Sequence, residues 1–365
     1  MAVGTEELCL SAVLNIHSPA LSPLLNRLIM QLCVLNPSGK EPDQLFPDFA
    51  GKPDVHKSPP LGYRGFAACT GGGYYRKDAS IPEHERRVLF VLHSNLKACR
   101  QTIINLRRAG KTIILAWTKP SAFELETVLR SPGDLSLFRE ICGRAHGALA
   151  VSSDLEPVFR GGGIMHVETI PMPLPVESSE WDFSIRPEER QGIFLGTWDR
   201  SDVSRRHLTA LLGLRDVVSQ MYEPLTVFNL DGWRGRRWLR QLGYPPGLLR
   251  VIERRLPHVE YLKKMATHKM VFQLDASAGS GGVAGDALLC RIPCVGGNGV
   301  TERIIFPELS DPRLPTPDVL YSVSRLLDHG HDRELAVEQA LNIARQRLSF
   351  EVIQQSLEQL FHCFG

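Results

Sequence analysis

The sequence has almost no net charge, no long apolar run, and too few, too widely spaced cysteines to cross-link a small fold. Its 365 residues include 42 Lys and Arg against 40 Asp and Glu, a formal net charge of +2. Such a balanced chain has no global field that would attract DNA, RNA or an anionic membrane, so any anion site must be local. The eight cysteines lack the dense spacing of a disulfide scaffold.

Segments for export or membrane insertion are also missing from the pattern. Glu6 and Glu7 interrupt the first apolar stretch, no cleavage pattern follows a basic region, and no run approaches the roughly 20 apolar residues of a bilayer-spanning helix. We therefore expect a soluble, reduced, cytoplasmic protein without a transmembrane segment. Cys290 and Cys294 have a spacing that could bind zinc, but no second Cys/His pair stands nearby, which favours a packed helix end and no metal.

Short apolar runs alternate with longer helical patterns along the chain. With 43% hydrophobic residues, this alternation predicts an α/β fold whose parallel sheets are covered on both faces. Length alone suggests two domains. The predicted strands are Leu10–Ile16, Val88–Leu92, Thr112–Ala116, Ala148–Val151, His166–Ile170, Gly192–Leu195, Leu225–Leu230, Met270–Leu274 and Cys294–Val295.

The alternation of strands and helices includes one clear βαβ unit and is interrupted at two places. Leu96–Arg108 is predicted to be a helix that ends at Gly110, between two of these strands. Residues 37–82 are rich in proline and glycine and are predicted to be mostly loop. The prolines of Met172–Glu189 predict an extended connection between two sheets, where we place the domain boundary. The predicted parts are residues 1–180, residues 190–350 and a C-terminal helix within 351–365.

Three stretches, in order, resemble the GT-B glycosyltransferases, especially the large retaining family that uses nucleotide sugars. Residues 87–124 are similar to that family's central unit in the N-terminal domain. Residues 145–175 and the following GIFLGTWDR resemble its crossover between domains. Residues 259–302 resemble its donor-binding core, and the ending SFEVIQQSLEQLF also fits.

The resemblance implies two Rossmann-like domains facing each other across a cleft, with the acceptor on the N-terminal domain and the donor on the C-terminal one. It also implies a C-terminal helix that crosses back to brace the N-terminal domain. The implied reaction transfers a sugar, with retention and without a metal, from a nucleotide-sugar donor to an unknown acceptor, which is a glycan, a lipid, a small molecule or a protein. The nucleotide sugar is a co-substrate, so no further cofactor is expected.

A glycine-rich segment carries the strongest local signal for binding. After the strand at Met270–Leu274, residues 275–285 hold four glycines, and a helix is expected next. Backbone N–H groups and the helix dipole would then face one anion, unless the segment is only a mobile loop. The residues expected to hold the donor phosphates are Gly279, Ser280, Gly281 and Gly282.

The same segment, Gly279 to Ala284, also fits the G-x-G-x-x-A fingerprint of a Rossmann oxidoreductase. Only about eight residues separate it from the next strand, far fewer than in a dinucleotide-binding unit. This reading is therefore the lesser alternative.

By the resemblance, Asp286 stands where the family has its second glutamate, which would hold the ribose hydroxyls, and Glu302 ends the same donor-binding core. Asp286 can instead be a charge at a helix N-terminus. Ala278 stands where the family has its first glutamate.

Gly196 matches the family's glycine, but Thr197 and Asp202 replace the arginine and lysine that face the diphosphate. Substitute cations are Arg200, Arg205 and Arg206, each of which can equally be a solvated helix residue.

In the N-terminal part, His93 and Thr118 follow two neighbouring parallel strands and are predicted to face the crevice. His93 is a candidate for contacts with donor or acceptor hydroxyls, or a satisfied histidine at a strand end. Lys119 could supply charge to a phosphate, or could be an exposed loop residue.

An arginine and tryptophan cluster at residues 233–240, with Arg250, Arg254 and Arg255, mixes guanidinium and indole as polyanion sites do. Trp238, Leu239 and Leu242 fit one buried helix stripe, so the preferred interpretation is a buried face with arginines in water. No nucleic-acid partner is therefore favoured. Because Ala278, Thr197 and Asp202 depart from the family pattern, the alternative function is a binding or scaffolding subunit that has lost its chemistry.

Overall fold

The computed structural model of the chain describes residues 30–118, 121–196 and 203–364. The predicted strand at Leu10–Ile16 and the predicted site residues Lys119 and Arg200 lie outside the described residues, as do Thr197 and Asp202. No helix within the described part is both long and apolar enough to span a bilayer.

Seven of the described strands form one sheet, which is parallel except for one edge strand. Its centre is the pair RVLFVL and TIILAW, whose continuous apolar runs are buried as in a sheet covered on both faces. The order across the sheet is β2-β3-β1-β4-β5-β6-β7. The strands are β1 (Cys33–Leu35), β2 (Gln44–Leu45), β3 (Gly73–Tyr75), β4 (Arg87–Leu92), β5 (Thr112–Trp117), β6 (Gly147–Ala150) and β7 (Val167–Thr169).

Five further described strands form a second sheet, which is parallel throughout. Its order is β10-β9-β8-β11-β12, so the chain changes direction across the sheet between β8 and β11. Ligands of open α/β sheets bind at such a switch point, outside the carboxyl ends of the strands. The strands are β8 (Ile193–Leu195), β9 (Leu225–Phe228), β10 (Leu249–Ile252), β11 (Met270–Phe272) and β12 (Cys294–Val295).

Helices cover both sheets, and the one predicted at Leu96–Arg108 is confirmed with the same bounds. The Asn95 side chain accepts a hydrogen bond from the Ala98 N–H (3.1 Å) at its start, and Gly110 has a φ of 68° beyond its end. The helices are α1 (Tyr63–Ala68), α2 (Leu96–Arg108), α3 (Ala122–Val128), α4 (Pro132–Cys142), α5 (Glu156–Gly161), α6 (His207–Met221), α7 (Gly232–Arg240), α8 (His258–Ala266), α9 (Gly282–Leu289), α10 (Val300–Ile305), α11 (Thr316–Asp328), α12 (Gly330–Arg347) and α13 (Phe350–His362).

Residues 37–82 are mostly loop, as predicted, but they also contain three short elements that the pattern does not predict, namely β2, α1 and β3. β3 has the sequence GYY at the end of a glycine run, and it is buried because it pairs with β1. β10 was also missed, because its LRVI sequence lies half-exposed at the edge of the second sheet. Cys290 lies at the packed end of α9, as predicted, where its Sγ donates to the Leu262 carbonyl (3.3 Å).

The chain passes from the first sheet to the second between β7 and β8, and its end returns to the first. The Leu174 N–H donates to the Leu348 carbonyl (2.8 Å) just before α13 begins. α13 then contacts α1, and the Phe364 ring lies 5.4 Å from the His166 ring, between ring centroids. The division into an acceptor part and a donor part stays a prediction.

Gly192 sets the start of the second sheet. Its φ is +69°, and a Cβ there would overlap the Pro224 carbonyl oxygen. Gly243 has the same φ of +69°, with nothing within 4 Å of a Cβ. The two positions therefore separate backbone strain from steric overlap.

We expect Gly243→Ala to lower the free energy of unfolding by about 1 kcal/mol, through strain alone. Gly192→Ala should lower it by roughly 2–4 kcal/mol, because overlap with backbone adds to the strain. Chemical denaturation of both variants measures the difference. Equal losses would mean that Pro224 moves aside without cost.

Candidate functional site

A cleft of about 1120 Å³ lies at the carboxyl ends of strands from both sheets. The first sheet contributes Ser121 and Asp154, which follow β5 and β6, and the second sheet contributes the rest. Of the predicted site residues, the cleft is lined by Gly196, Arg205, Arg206, Gly279, Ser280, Gly281, Gly282, Asp286 and Glu302. Residues that were not among the predicted site residues also line it, including Phe228, Leu230, Arg255, Leu256, His258, Tyr261, Gln273 and Asp275.

The glycine segment is shorter as a loop than predicted, because α9 begins at Gly282 and not after Gly285. Gly281 is the N-cap, with a φ of 78° that favours glycine. Gly285 lies inside the helix, where a Cβ would come 2.9 Å from Leu174 Cδ2. Its role is therefore close packing against the connection between the sheets, and the prediction that it belongs to the anion loop is wrong.

The carbonyl groups of this loop are tied to the next helix. The Val300 N–H donates to the Gly279 carbonyl (2.8 Å), and the Thr301 N–H and hydroxyl both donate to the Ser280 carbonyl (3.2 and 2.7 Å). Within the described part of the chain, the N–H groups of Gly279, Ser280 and Gly281 have no hydrogen-bond partner. The loop therefore brings unpaired donors and the N-terminus of α9 to one wall of the cleft.

A buried carboxyl group, which also lines the cleft, packs against the loop. Glu302 is 3% exposed, and its Oε1 accepts a hydrogen bond from Gln273 Nε2 (2.6 Å). Its Oε2 has no partner among the described residues. A Cβ at either Gly281 or Gly299 would overlap this oxygen, so both positions require glycine. Burial raises the pKa of Glu302 from an ordinary value of 4.5 to about 7, against the lowering effect of its hydrogen bonds.

Asp286 is held by a histidine 28 residues before it in the chain. His258 Nε2 lies 3.0 Å from Asp286 Oδ1, and the His258 ring stacks on Tyr261 with 5.7 Å between centroids. His258 is the first residue of α8, and Asp286 lies one turn into α9. Sequence spacing carried no signal for this pair, because the packing of α8 against α9 brings the two residues together.

The cations of the cleft differ in how firmly they are held. Arg205 forms an ion pair with Asp275, whose Oδ1 also accepts from the N–H and hydroxyl of Ser277 (2.9 and 2.7 Å). Arg206 is exposed, has a φ of 45°, and has no ion pair among residues the structure describes. Arg205 is therefore the more fixed of the two, with its charge partly matched by Asp275.

Gly196 follows β8 at the switch point, where its N–H donates to the Phe272 carbonyl (2.9 Å). A Cβ there would come 2.5 Å from Val283 Cγ1, so the close packing of β8 on α9 requires glycine. This position, after the first strand of its sheet, is where a dinucleotide-binding fold carries its glycine fingerprint. The Gly279–Ala284 match follows β11 instead, the fourth strand along the chain, which argues against the oxidoreductase alternative.

Two predicted residues lie outside the lining of this cleft. His93 Nδ1 accepts a hydrogen bond from the Asn95 N–H (3.3 Å), and burial lowers the pKa of His93. The Thr118 hydroxyl lies 3.3 Å from the Ser38 hydroxyl. Both follow their strands as expected, and their contact with a substrate stays a prediction.

Glu302 makes stability depend on pH in a defined direction. The pKa of Glu302 is higher in the folded state than in the unfolded state. Its stabilising contribution to the free energy of unfolding is therefore complete below pH 4.5 and is lost as pH rises towards 7. We expect the free energy of unfolding of the wild type to fall by about 3 kcal/mol more than that of Glu302→Gln between pH 4 and pH 8. Denaturant unfolding of both proteins across this range tests it, and parallel pH profiles would contradict it.

No protein-family model matches the sequence, and no curated protein sequence matches it significantly. Solved structures do match the fold. The N-terminal domain of Candida albicans trehalose-6-phosphate phosphatase superposes with a TM-score of 0.60 at 12% identity, over 76% of this chain and 70% of that one. A UDP-forming α,α-trehalose-phosphate synthase from Burkholderia vietnamiensis gives 0.57 at 13% identity, over 78% and 76%.

A third similar structure is the UDP-forming synthase from Burkholderia xenovorans in complex with glucose-6-phosphate. Its TM-score is 0.56 at 12% identity, over 78% of this chain and 74% of that one. At such identities the likeness concerns the fold. Together with the two sheets and the cleft at their strand ends, it confirms the predicted fold class: the chain has the GT-B fold, two Rossmann-like α/β halves facing each other across a cleft.

Proposed function

We propose that this protein is a glycosyltransferase that moves a sugar from a nucleotide-sugar donor to an acceptor, with retention. The observation that carries the proposal is the glycine loop, which lines the cleft of a GT-B fold and whose N–H groups have no partner among the described residues. The lining is mixed in polarity, and the cleft volume of about 1120 Å³ is slightly above the roughly 300–1,000 Å³ of most small-molecule sites. A nucleotide sugar is a ligand of that size.

The donor diphosphate would lie against Gly279–Gly282. There the loop N–H groups and the N-terminus of α9 favour negative charge. Breaking the bond to the sugar adds negative charge to the leaving diphosphate, so catalysis requires groups that stabilise this charge more than the bound donor. Arg205 and Arg206 are the cleft residues suited to this role. In this proposal the two arginines stabilise the charge of the leaving diphosphate, and no metal ion takes part.

The nucleoside would occupy the wall formed by α8, α9 and the loops after β9 and β10. A carboxylate can accept hydrogen bonds from both hydroxyls of a ribose, and Asp286 is the candidate. The contact with His258 would keep that carboxylate in one orientation. Phe228, Leu256 and Tyr261 supply apolar surface for a base. The acceptor remains open between a glycan, a lipid, a small molecule and a protein, although one similar structure holds glucose-6-phosphate.

A second candidate function is a binding or scaffolding subunit with the same fold. The observation that favours it is the ion pair of Arg205 with Asp275, because a cation already matched by a carboxylate stabilises a leaving diphosphate less. Ala278, which lines the cleft where the family resemblance places a glutamate, points the same way. Binding of nucleotide without turnover would support this candidate.

Gly282 offers a clean test of the donor site. A Cβ there meets nothing within 4 Å, and the position has no positive φ, so Gly282→Val should fold normally. Its side chain would enter the space reserved for the phosphates. We expect the wild type to bind a nucleoside diphosphate from a panel of UDP, GDP and ADP, and the variant to bind it at least 10-fold more weakly, measured by calorimetry.

Gly161→Val is the matched control, since a Cβ there also meets nothing within 4 Å and Gly161 does not line the cleft. It should leave the affinity unchanged. If no nucleotide or nucleotide sugar binds the wild type, or if Gly282→Val binds as well as the control, the proposed donor site is wrong.

The two cleft arginines should contribute unequally to turnover. Because Asp275 holds Arg205 in place, Arg205 is the preorganised cation, and Arg205→Ala should lower kcat by about 10²–10³-fold. Arg206→Ala should cost less than about 10-fold, because an exposed side chain must first be ordered. Kinetics with the nucleotide sugar that the wild type turns over test this. Equal, mild losses would show that neither arginine faces the leaving group.

A further inference from the structure

Positive charge is concentrated in one short part of an otherwise balanced chain. Residues 231–255 contain seven arginines and two acidic residues, a net charge of +5, whereas the whole chain carries +2. The remaining residues therefore carry a net negative charge. This segment spans α7, β10 and the residues around them, and β10 is an edge of the second sheet. The charge is thus concentrated on α7 and around one edge strand of the second sheet.

α7 has two distinct faces. Gly235 and Leu239, four residues apart, are buried, and a Cβ at Gly235 would overlap Asn229 Oδ1. That close contact holds the helix flat on the loop after β9. At 100° per residue, Trp233, Arg237 and Arg240 fall on one stripe on the opposite side. We refer to these three residues as the outer stripe.

The outer stripe is exposed, and its arginines form no ion pair with the residues that the structure describes. The Trp233 side chain is 63% exposed, and the Arg234 guanidinium lies 5.7 Å from its ring centroid. Arg236, beside the stripe, pairs with Glu253 (3.2 Å). For the part of the chain that the structure describes, no ion pair involves Arg237 or Arg240. Unpaired cations on a fixed helix, next to an exposed indole, are suited to a flat anionic surface.

We propose that the outer stripe of α7 docks this protein on the surface of an anionic lipid bilayer. The arginines would meet the lipid headgroups and Trp233 would enter the interfacial region, where indole is favoured. A nucleic acid fits less well, because single-strand sites combine a basic groove with several stacking rings. Here one indole stands on a convex helix face, since Trp238 is half-buried and stacks on His207.

Vesicle sedimentation of the full-length protein tests the proposal. The probes are vesicles of phosphatidylcholine alone and vesicles with one part phosphatidylglycerol to two parts phosphatidylcholine. We expect binding only to the anionic vesicles at about 0.1 M salt, and its loss near 1 M, where charges are screened within about 3 Å. Arg237→Gln with Arg240→Gln should lower the partition coefficient about 30-fold, since each arginine near such a surface contributes about 5-fold.

The matched control is Arg345→Gln with Arg347→Gln, which removes the same charge from exposed positions on α12. It should retain vesicle binding, and both double variants should keep the wild-type melting temperature and nucleotide affinity. If both double variants lose vesicle binding equally, the binding depends only on the net charge of the protein, and the proposal is overturned. A second result would also overturn the proposal: the protein binds single-stranded or duplex oligonucleotides more tightly than anionic vesicles, and the α7 double variant loses that oligonucleotide binding. The partner would then be a nucleic acid.

Discussion

The close approach of the glycine loop to α10 is the constraint on which the cleft depends. Gly281 and Gly299 come so near that a Cβ on Gly299 would lie 2.6 Å from the Gly281 Cα, and a Cβ on either glycine would overlap the Glu302 carboxyl group. This packing allows the first N–H groups of α10 to bond to the loop carbonyls. The loop's own N–H groups are then left for the cleft. A side chain at either glycine would separate the loop from its support.

That support carries an electrostatic cost. A carboxyl group that is 3% exposed and bonded at one oxygen only is disfavoured when ionised, which is why the pKa of Glu302 rises to about 7. The nearby ion pair of Arg205 and Asp275 lies on the same wall of the cleft. The site therefore combines unpaired donors with acidic groups, and its affinity for an anion reflects the balance between them.

Much of the fold followed from the sequence because buried parallel strands have unambiguous patterns. RVLFVL and TIILAW each contain a continuous apolar run, and the helix between them has both a capping asparagine and a terminal glycine. The short strands β1, β3 and β10 were not predicted, because three or four residues carry too little hydrophobic periodicity. Pairing with a neighbouring strand decides their conformation. The start of α9 was misplaced because glycines that permit a loop also permit a tightly packed helix.

For the candidate site, the sequence by itself determined the glycine segment, because it directly follows a buried strand. The family resemblance added Asp286, Arg205 and Arg206, which also line the cleft. Only the tertiary structure decided that His258 meets Asp286, that Asp275 pairs with Arg205, and that His93 and Thr118 stay outside the cleft lining. Both contacts, His258 with Asp286 and Asp275 with Arg205, join separate elements. Their distances depend on how those elements pack against one another, and the local sequence does not specify that packing.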